Sequence, residues 1–75
     1  MTPERMRAIM VNQNLTNSDL MVIANCSMRS VSNWRNGFSI IPRPISIILE
    51  GMERDKINRD WLVQQVENEL RELVD

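Results

Sequence analysis

The sequence predicts an all-α fold, a bundle of five short helices with a helix-turn-helix at its centre. Apolar residues recur at spacings of three and four along the chain, and no stretch shows the alternation typical of a half-buried strand. Capping and stop residues separate these apolar stripes. The length of 75 residues (1–75) allows a single domain. A domain of this size has only a marginal hydrophobic core.

The first helix is predicted from Pro3 to about Val11. Thr2 is a suitable N-cap, and proline suits the first helical position because an N–H there would have no intrahelical partner. Asparagine and glutamine at 12–14 favour a turn and end the helix. Its apolar face is formed by Met6, Ile9 and Met10.

The second helix is predicted to begin after Thr16. Thr16 and Asp19 resemble a capping box in which aspartate replaces the usual glutamate, and Leu15 can act as the hydrophobic staple. Asn25 follows the helix where the chain needs a left-handed residue, a conformation that asparagine tolerates better than most residues. The stripe predicted to be buried comprises Leu20, Ile23 and Ala24.

The third helix is predicted to begin after Ser27, a good N-cap, and to extend to about Arg35 or Asn36. Gly37 ends it, since glycine is favoured just after a helix. Val31 and Trp34 are spaced to face inward. The second and third helices with their tight turn form a helix-turn-helix, whose second helix is of the kind that enters a DNA major groove.

Residues 38–44 form a loop with two prolines, followed by a fourth helix from Pro44 to about Arg54. The apolar loop residues Phe38, Ile40 and Ile41 are expected to fold back onto this helix; otherwise they form a patch for a partner. The inward face of the fourth helix is Ile45, Ile48, Leu49 and Met52.

The fifth helix is predicted to follow Asn58 as its cap and to extend to about Leu73, within the C-terminal segment 59–75. Its apolar face is wider than a lone terminal helix needs, which favours both a core role and a contact between two copies of the chain. Packing within one chain is the alternative, and the dimer contact could be formed by the fourth helix, the fifth helix or both. The predicted dimer residues are Leu62, Val66, Leu70 and Leu73.

The charge is polarised although the net charge is only −1. Residues 1–44 carry five arginines and two carboxylates, whereas residues 45–75 carry four basic and eight acidic residues. A basic half can bind phosphate while an acidic half faces away. Chance asymmetry in a short chain is the alternative explanation.

The composition disfavours several classes of protein. The chain lacks histidine, tyrosine, a glycine-rich phosphate loop and a paired nucleophile and base, so we expect no enzyme, cofactor or small-molecule ligand. A single cysteine, Cys26, permits no intrachain disulfide and no zinc site, and it reads as a small buried apolar residue. No apolar run reaches the length of a signal peptide or a membrane span. A reducing, cytoplasmic setting is expected.

In a helix-turn-helix, the N-terminal residues of the second helix meet the edges of the bases. Arg29 can pair with guanine and Asn33 with adenine, while Met28 can contact a thymine methyl group. Ser32 lies on the same face. The alternative for each of these residues is a solvated helix surface.

Phosphate contacts are expected from residues on both sides of the third helix. Asn17 begins the second helix, where free N–H groups and the helix dipole favour an anion. Arg43 lies between two prolines, which are expected to hold it extended. The predicted phosphate set is Thr16, Asn17, Ser18, Arg35, Asn36 and Arg43.

Several motifs together resemble the Xre/Cro/phage-repressor family of helix-turn-helix proteins. The resemblance covers residues 1 to about 63, with asparagine at 25 where glycine is usual, asparagine at 17 where glutamine is frequent, and an unusually uncharged recognition helix. Small phage repressors, including those found beside anti-CRISPR genes, are similar in length. The motifs are Leu15-Thr16, Ala24-Asn25, Ser27, Val31-Ser32-Asn33-Trp34-Arg35-Asn36-Gly37 and Asp60-Trp61-Leu62.

The resemblance implies a lambda-repressor-like bundle. It also implies that the protein is encoded by a bacterium or a phage and regulates transcription at the nucleoid. Its loop after the recognition helix would approach the DNA backbone, and Arg43 would probe the minor groove. We therefore predict a homodimeric repressor that binds an inverted-repeat operator on double-stranded DNA. The alternative is a protein-interaction module on the same fold, such as an antitoxin or an anti-repressor, with the acidic half and the loop at 38–41 as its surface.

Overall fold

In a computed structural model, residues 1–74 are described, with side chains up to Leu73. This part of the chain forms five helices and contains no strand, so the predicted all-α class is confirmed. No helix within it is long and apolar enough to cross a bilayer. The helices are α1 (Pro3–Asn12), α2 (Asn17–Ala24), α3 (Met28–Asn36), α4 (Arg43–Glu53) and α5 (Arg59–Val74).

The predicted capping residues begin four of the helices. The Thr16 hydroxyl accepts from the Asp19 N–H at 3.1 Å, and the Asp19 carboxylate accepts from the Thr16 N–H at 2.9 Å, which completes the capping box. Each bond satisfies an N–H that a helix start leaves without an intrahelical partner. The other side-chain caps are Thr2 on Arg5, Ser27 on Ser30 and Asn58 on Trp61.

Left-handed residues end α2 and α3 where the sequence predicted them. Asn25 has φ 51° and Gly37 has φ 78°. Asparagine and glycine tolerate this conformation because they suffer less steric conflict there than most side chains. Only residues 25–27 separate α2 from α3. The two helices therefore meet through a tight turn, and they pack against each other.

A single core joins the helices. α1 packs on α3 and α4, while α2 packs on α3 and α5. Ile23, Ala24, Cys26 and Ile48 are half-buried rather than fully buried as predicted, and the last three pack against the edge of the core. The buried core is Met6, Ile9, Met10, Leu15, Leu20, Val31, Trp34, Ile41, Ile45, Leu49 and Met52.

The prediction that the loop after α3 folds onto α4 is wrong for two of its three apolar residues. Ile41 is buried in the core, but Phe38 is 79 % exposed and Ile40 is 93 % exposed. The N–H groups of Phe38 and Ser39 both donate to the Asn33 carbonyl, at 2.8 and 3.3 Å. The backbone therefore stays at the end of α3 before Ile41 reaches the core.

Ion pairs connect helices that are distant in sequence. Arg5 on α1 bonds to Glu50 at 3.3 Å and also to Glu53, both on α4. These partners raise the pKa of Arg5, with the Glu53 hydrogen bond as the largest cause. Arg59, the first residue of α5, bonds to Asp19 in the α2 cap at 3.1 Å. The first pair therefore ties α1 to α4, and the second ties α5 to the start of α2.

Candidate nucleic-acid interface

The outward side of α3 carries the residues predicted to read bases. Val31 and Trp34 are buried, so the residues between them in the helical repeat point away from the core. Met28 and Arg29 are exposed in the first turn, and Asn36 is exposed in the last. Ser32 and Asn33 are half-buried at the margin of this side. We call this surface the α3 face; it consists of Met28, Arg29, Ser32, Asn33 and Asn36.

Two polar side chains on the α3 face have no hydrogen-bond or ion-pair partner within residues 1–73. Asn36 donates to the Ser32 hydroxyl at 3.3 Å, so these two side chains hold each other. The side chains of Arg29 and Asn33 make no hydrogen bond or ion pair within residues 1–73. Their guanidinium and amide groups are thus available to an incoming partner, and these are the two groups suited to guanine and adenine.

The start of α2 lies against α1 and α3 through a polar cluster. The Asn17 side-chain oxygen accepts from the Arg35 guanidinium at 2.8 Å. The Arg7 guanidinium donates to the Arg35 carbonyl. Arg7 also lies 3.8 Å from the exposed Glu4 carboxylate in the preceding turn. Three helices therefore bring two guanidinium groups to the N-terminal end of α2.

Around this cluster is a shallow cavity of about 350 Å³, which we call the basic pocket. The N–H groups of Asn17 and Ser18 lie in the first turn of α2 and make no hydrogen bond within the described residues. Free N–H groups at a helix start together with guanidinium groups suit an anion such as phosphate. The lining residues are Arg7, Met10, Val11, Leu15, Thr16, Asn17, Ser18 and Arg35.

The carboxylate of Asp19 is bonded to Thr16 at the edge of the basic pocket, where its negative charge would disfavour an anion. The Thr16 N–H and the Arg59 guanidinium both donate to this carboxylate, and they lower the pKa of Asp19. The Thr16 bond is the larger cause. Arg59 therefore compensates the charge of Asp19 while the cap of α2 stays intact.

The predicted phosphate residues fall into two groups. Thr16, Asn17, Ser18 and Arg35 all line the basic pocket. Asn36 and Arg43 do not line it: Asn36 lies near the C-terminal end of α3, and Arg43 is the exposed first residue of α4. The expectation of an extended backbone at Arg43 is wrong, because the helix begins there rather than at Pro44.

Arg7 is a pocket residue that the sequence reasoning missed. It lies next to Met6 and one turn before Met10, so it borders the buried side of α1. A basic residue beside a core stripe is the available signal. Its bond to Arg35 joins residues 28 positions apart, which no local pattern could reveal.

The charge around the α3 face is more uniform than the half-chain count indicated. Residues 20–49 contain no carboxylate, and they carry Arg29, Arg35 and Arg43. Arg5, by contrast, forms ion pairs with two carboxylates on α4. The positive charge therefore belongs to α3, its following loop and the basic pocket rather than to the whole N-terminal half.

The predicted dimer residues divide along α5. Leu62 and Val66 are half-buried, whereas Leu70 is 55 % exposed and Leu73 is 78 % exposed. The second half of α5 and the C-terminal half of α2 border an apolar cavity of about 420 Å³, the α2–α5 groove. Met21 and Val22 were missed, although the apolar run at 20–24 is wider than one stripe. The groove is lined by Met21, Val22, Ile23, Asn25, Val66, Glu69, Leu70 and Leu73.

Other chemistry is sparse in the part of the chain that the structure describes. It contains no cluster of three or more residues that could hold a metal ion. Cys26 is half-buried, and burial raises the pKa of its thiol, which disfavours the reactive thiolate.

Comparisons with protein-family models, curated proteins and solved structures find no match for this chain.

Proposed function

We propose that the chain is a sequence-specific DNA-binding transcription regulator with a lambda-repressor-like helix-turn-helix of the Xre/Cro/phage-repressor family. In this proposal α3 is the recognition helix and α2 the helix that positions it. One observation carries it: Arg29 and Asn33 on the α3 face have no partner within residues 1–73, and the basic pocket adjoins α3 through Arg35. Base-reading groups beside a phosphate-binding site are what a DNA-binding module requires.

Base reading falls to the first two turns of α3. Arg29 donates two hydrogen bonds to the O6 and N7 atoms of a guanine, and Asn33 pairs with an adenine one turn further along. Met28 contacts a thymine methyl group. Ser32, already bonded to Asn36, assists as a donor or acceptor.

Phosphate binding falls to both sides of the recognition helix. In the basic pocket, Arg7 and Arg35 supply charge, while the N–H groups of Asn17 and Ser18 supply directed donors. On the other side, Asn36 and Arg43 contact the backbone beyond the end of α3. Two anchors around one helix fix its orientation in the groove.

A second copy of the chain completes the proposed regulator. The exposed Leu70 and Leu73 pack against the partner, and the α2–α5 groove receives the same residues of the second copy. A two-fold axis brings the same patch of both subunits together. The dimer then reads an inverted repeat with half-sites about 34 Å apart. It represses by occupying an operator in the cytoplasm of a bacterial cell.

Selection of bound sequences from random double-stranded DNA tests this proposal. We expect an enriched inverted repeat, and an affinity that falls steeply with salt because phosphate contacts release counterions. Binding that selects no sequence, or that hardly changes with salt, would contradict it.

A second candidate is a protein-interaction module such as an antitoxin or anti-repressor. The observation that favours it is the C-terminal half of α5, where exposed leucines are interspersed with carboxylates. Binding to a protein through this surface would change little with salt, so the same titration separates the two candidates. The residues concerned are Glu67, Glu69, Leu70, Glu72 and Leu73.

A further inference from the structure

The loop after α3 exposes two large apolar side chains that neither the core nor the α2–α5 groove uses. Phe38 is 79 % exposed and Ile40 is 93 % exposed, and we call this pair the apolar tip. Single exposed apolar residues are common on protein surfaces. Two within three residues, beside the helix proposed to read DNA, make this loop a candidate contact surface.

The backbone holds the apolar tip in place. The Asn33 carbonyl accepts hydrogen bonds from the N–H groups of Phe38 and Ser39, and Ile41 anchors the other end of the loop in the core. Pro42 follows at once and restricts the backbone further. The tip is therefore presented in an ordered form, and little conformational entropy is lost when it binds.

The charge of the segment that carries the tip favours a polyanion, and Met1 and Pro3, which share a shallow cavity with the tip, carry no side-chain charge. Residues 20–49 contain no carboxylate, and Arg43 lies exposed three residues beyond Ile40. The α2–α5 groove is different, because Glu69 lines it and Glu67 and Glu72 lie nearby on α5. The groove accordingly suits a second copy of the chain, and the tip suits DNA.

The reach of the loop indicates which part of the DNA it meets. A chain that leaves a helix in the major groove crosses the backbone and comes to the adjacent minor groove. The N–H groups of Phe38 and Ser39 stay bonded to the Asn33 carbonyl, so the tip lies at the C-terminal end of α3, and the minor groove is about 6 Å wide. Apolar side chains that enter it commonly wedge between neighbouring base pairs.

We propose that Phe38 and Ile40 enter the minor groove next to the site of α3 and partly unstack one base step. This inference rests on the proposed function and adds to it a non-electrostatic contact, with a preference for steps that open easily. Pyrimidine–purine steps such as TA unstack most readily. The selected operator should therefore carry such a step at a fixed distance from the bases that Arg29 reads.

The test compares Phe38→Ala with two other variants on the selected duplex over a series of salt concentrations. Phe38→Ala should weaken binding by about tenfold at every salt concentration, because burial of apolar area is lost while no phosphate contact changes. Arg43→Ala should instead reduce the slope of log affinity against log salt by about one. Ile47→Ala is the matched control, since Ile47 is 60 % exposed on α4 beside Glu50, and should bind as the native chain does.

A fluorescent base analogue in the predicted step reports unstacking directly. Its emission should rise when the native chain binds and should stay low with Phe38→Ala. Unchanged emission with the native chain, or unchanged affinity of Phe38→Ala, would overturn the inference. So would a weakened dimer of Phe38→Ala in analytical ultracentrifugation, since the tip would then contact a second copy.

Failure of the proposed function is distinguishable from failure of this inference. If the native chain selects no DNA sequence, both fall together. If it selects an operator and Phe38→Ala binds that operator as Ile47→Ala does, only the proposed insertion of the apolar tip into the minor groove is contradicted. Circular dichroism should show equal helix content in all variants, because the three side chains are exposed.

Discussion

The α2–α3 region and α5 are both amphipathic, but they are held in different ways. α2 and α3 have side-chain caps at their starts and left-handed residues after their ends, and Leu20, Val31 and Trp34 fix them in the core. α5 has its cap Asn58, the Arg59 ion pair and the half-buried Leu62 in its first turn, while Leu70 and Leu73 are exposed. A complete set of local signals accompanies a helix that packs on the core. The exposed apolar residues in the second half of α5 are the reason why we propose a contact with a second copy there.

The largest expected effect is the difference between the stability lost on substitution in α2 and the stability lost on substitution in α5. Leu20→Ala removes a fully buried side chain and should lower the free energy of unfolding by about 2–5 kcal/mol. Leu70→Ala, the matched control on α5, should change the free energy of unfolding of the monomer by less than about 0.5 kcal/mol because Leu70 is largely exposed in the single chain. Urea denaturation followed by circular dichroism measures both. Equal losses would show that α5 is as much a core element as α2.

The next effect concerns association. Leu70→Asp should give a monomer, because a carboxylate would be buried against a second apolar surface. Loss of the linked second half-site should weaken binding to an inverted repeat by about a hundredfold or more. Light scattering gives the mass, and Leu70→Ala serves as the smaller-perturbation control. A Leu70→Asp protein that stays dimeric would remove α5 from the dimer contact.

A moderate effect is expected at the α3 face. Arg29→Ala should cost about 1–3 kcal/mol on the selected operator and relax the preference at one base pair. Its unfolding free energy should be unchanged because the side chain is exposed. Binding titrations against duplexes altered at single positions measure the change. A uniform loss on all sequences would make Arg29 a phosphate contact instead.

The smallest expected effect concerns the pH dependence of stability through Asp19, which lies in the cap of α2 and bonds to Arg59 of α5. Its pKa is lowered in the folded chain, so its contribution to stability is present above the ordinary value of 3.8 and disappears as the pH falls through the lowered pKa. Asp19→Asn removes this titration. The native chain should therefore lose stability more steeply below pH 3.8 than Asp19→Asn does, in urea midpoints measured across that range. Parallel curves would mean that the carboxylate adds nothing to the cap.

The helices and most of the core are predictable from the sequence because their causes are local. Thr16 and Asp19 lie three residues apart, and the spacing of Val31 and Trp34 shows which side of α3 faces the core. Both signals are complete within one or two turns.

The missed features depend on contacts between distant segments. The basic pocket needs Arg7 beside Arg35, and the commitment of Arg5 needs Glu50 and Glu53 on another helix. The exposure of Phe38 depends on where the loop backbone turns, since hydrophobicity alone does not say which surface covers a side chain.

The Arg59–Asp19 ion pair has a mechanical consequence. It fastens the start of α5 to the start of α2, and the half-buried Leu62 follows one turn later. A proposed dimer built through α5 would thus have no hinge between its contact surface and its recognition helix. One inserted base pair turns a half-site by about 35°, and stiff subunits could not follow that rotation. We expect such a regulator to bind only operators in which the two half-sites have one particular spacing.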